Sequence, residues 1–189
     1  VETMTELIEY YKGIFTILSS CASRQLEEVT FRRGVIPVQE LLDTAGKYFR
    51  KSMKNRTERI ELEIGTVDAK VIGDLNQLRF LLENLIDEAL AVHEDGLLRL
   101  QARQDDEYIR FLFTDTRREK SLEELNLLFY PNLARMTSGE KGELRGTEYL
   151  VCKQIIRDHD EFAGRRGCRI NAEPAEGGGF TVYFTIPRR

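Results

Sequence analysis

DLNQLRFLLENLIDEAL, residues 74–90, is the stretch whose reading decides the fold. It begins on an aspartate, and leucine or isoleucine recurs at positions 78, 81, 82, 85 and 86, the three-and-four spacing that lines one face of a helix. One carboxamide, Asn84, interrupts that apolar face, and a polar group there needs either a backbone partner or a ligand. Glu88 follows it one helical turn later.

Working outward, LLRLQARQDDEYIRFLFTDT (97–116) predicts two strands joined at Asp105-Asp106, and SLEELNLLFY (121–130) a short helix with Ser121 as its N-cap. Residues 131–146, PNLARMTSGEKGELRG, are polar and glycine-containing, so an irregular stretch is expected there, a candidate lid. TEYLVCKQIIRDHDEF (147–162) predicts a further helix, and CRINAEP with FTVYFTIP a closing hairpin around a glycine turn. On the other side, RIELEIGTVDAKVIGD (59–74) alternates apolar and charged residues around GTVD, which reads as a hairpin or two neighbouring strands. VQELLDTAGKYFRKSMK (38–54) places Val38, Leu41, Leu42, Ala45, Tyr48, Phe49 and Met53 on one helical face. The first segment repeats Met4, Ile8, Tyr11, Phe15, Leu18, Ala22, Gln25 and Val29 at alternating four-three spacing, the pattern of a bundle helix.

The organisation is therefore an N-terminal bundle helix, residues 1–30, followed by one domain, residues 31–189, of α+β class: a two-layer sandwich with a mixed sheet and helices on one face. A formal net charge of −4 in 189 residues argues against nucleic acid as a partner. Cys21, Cys152 and Cys168 show no CxxC spacing and sit in apolar periodic segments, which favours buried thiols and a cytoplasmic compartment over disulfides or a metal site. His93 and His159, each at a helix end, are expected to meet C-terminal carbonyls, and Lys153 to face solvent. Val1 opens inside a helical pattern, so a C-terminal piece of a longer protein is expected, with membrane contact only through a region upstream.

From about Val29 to Pro187 these motifs resemble the catalytic ATP-binding domain of sensor histidine kinases, in the GHKL class with gyrase, Hsp90 and MutL. Asp74, Leu78, Leu82, Asn84, Leu85, Ile86 and Ala89 match the family's N-box, except that its second Asn, a magnesium ligand in the family, is Glu88. The adenine motif DxGxG reads DTRRE, keeping Asp115 but placing Arg117 and Glu119 at the glycines. Glu123, Glu124, Leu125, Phe129 and Pro131 follow the register of the next motifs, with Asn132 in place of the last Phe. At the second glycine motif, Leu144, Arg145, Gly146, Thr147 and Glu148, only Gly146 remains, and GGGFTVYFTIP matches the closing strand through Gly177, Gly179, Phe184 and Pro187.

The resemblance implies a Bergerat fold and a nucleotide site at Asn84, Glu88, Asp115, Arg117 and Gly146, with Glu88 the candidate magnesium ligand and ATP with magnesium the cofactors of a functional site. Phosphates are held in such sites by backbone N–H groups and a hard cation, so replacing loop glycines by Glu119 and Glu148 weakens it. Arg117, Arg118, Lys141 and Arg145 are the compensating positive charges. The expected function is thus a two-component signalling module with a weak or lost ATP site, a pseudokinase more than a histidine kinase. It would dimerise through residues 4–29 and contact a response regulator or partner kinase. The alternatives are an active kinase domain using Glu88, its acceptor histidine upstream, and a plain protein-interaction domain. Asp115 as a simple turn cap is the bland reading of that residue.

Overall fold

A computed structural model of the chain describes residues 31–130 and 147–189, together with Met4, Thr5, Leu7, Ile8, Tyr11, Lys12 and Phe15, which are helical. The remainder of the expected bundle helix, the segment 131–146 and Cys21 lie outside the described residues.

The order is β1 (Gly34–Pro37), α1 (Val38–Met53), β2 (Ile60–Ile64), β3 (Lys70–Gly73), α2 (Leu75–Leu90), β4 (Gly96–Asp105), β5 (Tyr108–Asp115), α3 (Leu122–Asn126), α4 (Thr147–Phe162), β6 (Ile170–Pro174) and β7 (Phe180–Pro187). Five strands form one mixed sheet, ordered β2-β4-β5-β7-β6, in which only the β2–β4 pair is parallel. Alternation along β5 and β7 sends Ile109, Phe111, Phe113, Val182, Phe184 and Ile186 into the core. There they meet the apolar faces of α1, α2 and α4, so the domain is a two-layer α+β sandwich. Phe111 and Phe184, directly opposite in register, stack at 4.7 Å. Asp106 takes the left-handed conformation (φ 53°) that closes the β4–β5 turn, as the Asp-Asp pair predicts.

Of the two expectations for the GTVD region, a hairpin or two strands, two strands form on either side of it but do not pair with each other. β2 runs parallel to β4, and β3 pairs with β1 in a separate two-stranded sheet. The intervening backbone groups find partners elsewhere: Gly65 N–H donates to Leu100 O, Val67 N–H to Gln39 Oε1, and Ala69 O accepts from Val38 N–H. The chain therefore crosses instead of reversing.

The α2 helix is tied at its start to the far end of α4. Asp74 caps it by accepting from Gln77 N–H with Oδ1, while Oδ2 accepts from Arg32 N–H. Asp74 N–H donates to His159 Nε2 at 3.0 Å, so the imidazole proton sits on Nδ1 and is donated to Ile155 O at 2.8 Å. His159 thus meets a carbonyl of its own helix, as expected, but as a fully buried neutral ring. His93, by contrast, is exposed beside Glu58 and Arg56, and it is Arg56 that donates to Leu90 O.

Burial depresses the His159 pKa from 6.5 to about 4, against the smaller opposing effects of Ile155 O and the Asp74 charge. The unfolded chain takes up a proton in this window and the folded one does not, so the contribution is complete above pH 6.5 and lost as pH falls toward 4. Denaturant unfolding should show roughly 3 kcal/mol of stability lost over that range from this group. His159→Gln should be less stable at pH 7 with a shallower acid slope; an unchanged slope would rule His159 out as the cause.

Candidate functional site

Of the residues singled out by sequence, Asp115 and Arg117 meet where the end of β5 approaches the C-terminal end of α2. Asp115 closes β5, whose alternation turns its carboxylate inward, where it is 2% exposed. Two residues on, in the bend that follows the strand, Arg117 folds back onto that carboxylate. Its guanidinium grips the carboxylate through Nε to Oδ1 at 3.0 Å and Nη2 to Oδ2 at 2.9 Å, and Oδ1 also accepts from Arg117 N–H. The remaining donors reach the end of α2: Nη2 to Ala89 O, and Nη1 to Val92 O and Glu94 O. All five guanidinium N–H groups are thereby used. The pair is desolvated, with side-chain exposures of 1% and 3%. No basic residue lies in the last turn of α2, so the cation that faces its carbonyl end comes from another segment.

Asp115 therefore does cap the turn that follows it, through Arg117 N–H, and its carboxylate accepts two further hydrogen bonds from the Arg117 guanidinium. Space for the arginine is made by Gly96, where a Cβ would lie 2.5 Å from Arg117 Cγ. Gly179 is required for a related reason: at φ 84° its Cβ would meet Asp115 O at 2.1 Å.

Asn84 is buried, and its Nδ2 donates back to Phe80 O at 2.7 Å, a partner within its own helix. Glu88 is half-buried on the same helix. Tyr149, the second residue after Thr147 in α4, is buried edge-to-face against Phe129 at 5.7 Å. Burial pushes its phenol well above the ordinary value, and the charge of Glu88 adds to the effect. Arg118 is half-buried, and its Nε meets no acceptor among the described residues; Glu148 Oε2 likewise meets no donor. Glu119 is exposed, and Gly146, Lys141 and Arg145 lie outside the described residues. Ser121 caps α3 in a capping box with Glu124, which uses that carboxylate structurally. No group of metal-ligating side chains occurs among the described residues, and neither Cys152 nor Cys168 is in a disulfide with a described residue.

Sequence reasoning placed Arg117 near the site but missed what it touches. The signal available was its two-residue spacing from Asp115 at a strand end. Tyr149 was missed because an aromatic residue at a core-facing helical position reads as ordinary packing.

The profile of the family described as histidine kinase-, DNA gyrase B-, and HSP90-like ATPase matches residues 73–189. The chain is 24% identical over 163 residues to the signal transduction histidine-protein kinase BaeS of Escherichia coli strain K12, covering 84% of this chain and 33% of that protein. It thus spans about a third of that relative's length. Among solved structures, full-length ShkA in complex with AMPPNP is similar with a TM-score of 0.65 at 15% identity, covering 84% of this chain and 32% of that one. Histidine kinase ThkA in complex with the response regulator TrrA is similar with a TM-score of 0.63 at 19% identity, covering 100% and 52%. At these identities the structures establish the fold.

Removing one partner of the buried pair leaves the other charged and desolvated. Arg117→Ala should therefore cost about 3–5 kcal/mol in denaturant unfolding. The double variant Asp115→Leu/Arg117→Met should cost less than either single replacement; simple additivity would mean that the two groups do not act as a pair.

Proposed function

The chain belongs to the histidine kinase-, DNA gyrase B-, and HSP90-like ATPase family, and on that premise we propose that it is the ATPase-fold module of a two-component sensor whose nucleotide pocket is closed by its own side chains. The carrying observation is the Arg117 fork on Asp115. In the family that carboxylate accepts the adenine amine; here the same oxygens are occupied by a guanidinium that has no donor left over for a phosphate.

The residues present do not fit ATP with magnesium. The glycines that let backbone approach phosphate are Arg117, Glu119 and Glu148, and the magnesium asparagine is Glu88. The charge of Glu88 helps raise the Tyr149 phenol pKa, and Asn84 bonds to its own helix. The module then works by interaction and is a pseudokinase. Residues 1–30 act as the bundle helix beside the domain of residues 31–189, pairing two copies through residues 4–29. Met4, Leu7, Ile8 and Phe15, helical and exposed, support this as an apolar stripe. A response regulator or partner kinase is the second partner, supported by the ThkA complex with TrrA. The compartment is cytoplasmic; among the described residues no helix is long and apolar enough to cross a membrane.

Millimolar ATP with magnesium should leave the melting temperature unchanged. Stabilisation of about 2.7 kcal/mol, the value for a hundredfold excess over Kd, would overturn the closed-pocket reading in favour of an active domain using Glu88. Sedimentation should show a concentration-dependent dimer that Ile8→Glu/Phe15→Glu dissociates, and a monomer at every concentration would overturn the pairing role of the arm.

A further inference from the structure

A cavity of about 360 Å³ lies between α3, the end of its following turn, α4 and the edge strand β6, and none of the proposed nucleotide residues lines it. Its polar groups are Lys153, the carboxamides of Asn126 and Asn171, and the phenols of Tyr130 and Tyr183. No carboxylate is among its described lining residues. Lys153, expected to face solvent, is half-buried with its ammonium 4.0 Å from the centre of the Tyr130 ring. Burial and, to a smaller extent, the nearby charge of Arg157 depress its pKa. The face of the ammonium toward the ring is partly compensated by the ring quadrupole, and the described lining of the cavity adds no carboxylate beside it.

The larger groove on the outer sheet face, about 560 Å³, shares Asn171 and Tyr183 with this cavity. It mixes Arg110, Arg166 and Arg169 with Asp105, Asp106 and Glu107, so it selects neither sign of charge. The described lining of the smaller cavity has one sign only.

We propose that the Lys153 cavity is an anion-binding site that takes a compact oxyanion, a phosphate or carboxylate group, with Lys153 supplying charge and Asn126 and Asn171 supplying amide donors. An ammonium acts as a point charge for such a group while neutral amide and hydroxyl donors fix its orientation. The cavity is of the size that accommodates a small organic anion.

The test is a heteronuclear NMR titration of the full 189-residue chain with sodium phosphate, sodium acetate and sodium chloride at matched ionic strength. Saturable shifts of the Asn126 and Asn171 side-chain amides are expected with phosphate or acetate and not with chloride. The arm that saturates distinguishes a phosphate from a carboxylate ligand. Lys153→Gln should weaken binding at least tenfold, and Lys153→Arg should retain it. Linear, salt-like shifts in both oxyanion arms, or equal affinity in Lys153→Gln, would overturn the proposal. Should Lys153→Gln lose its dispersed spectrum, the same comparison is made with Asn126→Ala, where undiminished affinity overturns it.

Discussion

The guanidinium of Arg117 is the point on which this end of the domain depends. A bidentate ion pair with Asp115, one bond to the last-turn carbonyl of Ala89 and two to Val92 O and Glu94 O just past α2 join the sheet to the end of the helix. A buried carboxylate without a partner is costly, and so are carbonyls at a buried helix end. One planar cation with five donors satisfies both, which a lysine with a single ammonium does not.

At its other end α2 is fastened by a different device. Asp74 caps the helix while its N–H rests on a neutral His159, so the helix carries a carboxylate at its N-terminal pole and receives an arginine at its C-terminal pole. Both arrangements follow the direction of the helix dipole. Between them Leu78, Leu81, Leu82, Leu85 and Ile86 pack into the core, and Cys152 Sγ lies against Leu81 O, tying α4 alongside. The helix that a working nucleotide site would require is thereby preserved as a packing element, whether or not anything binds beside it.

Much of this was legible from residue order. Period-two alternation placed β4, β5 and β7, helical spacing placed α1, α2 and α4, and Ser121 capped α3 where the capping rule put it. Register with a known family located Asp115 and Glu88 before any coordinates were needed. The GTVD crossing was illegible because the partners of its backbone groups lie in other elements, and local turn chemistry cannot distinguish reversal from crossover. Lys153 was misjudged for a similar reason: helical periodicity places it off the core face, yet Tyr130, brought in by a separate segment, covers it.

Sequence alone determined the element types, the α+β class and the family, because periodicity and motif spacing are properties of the chain itself. It also determined that Arg117, Glu119 and Glu148 stand at positions where the resembling motifs carry glycines. Only the tertiary structure decided what these residues do. A DTR tripeptide permits Arg117 to reach solvent, a phosphate or its own neighbour. The choice came from the carbonyls at and just past the end of α2, contributed by residues more than twenty positions away, and from the open side of Gly96 that admits the arginine stem. A side chain's partner is set by which acceptors the fold has already buried around it.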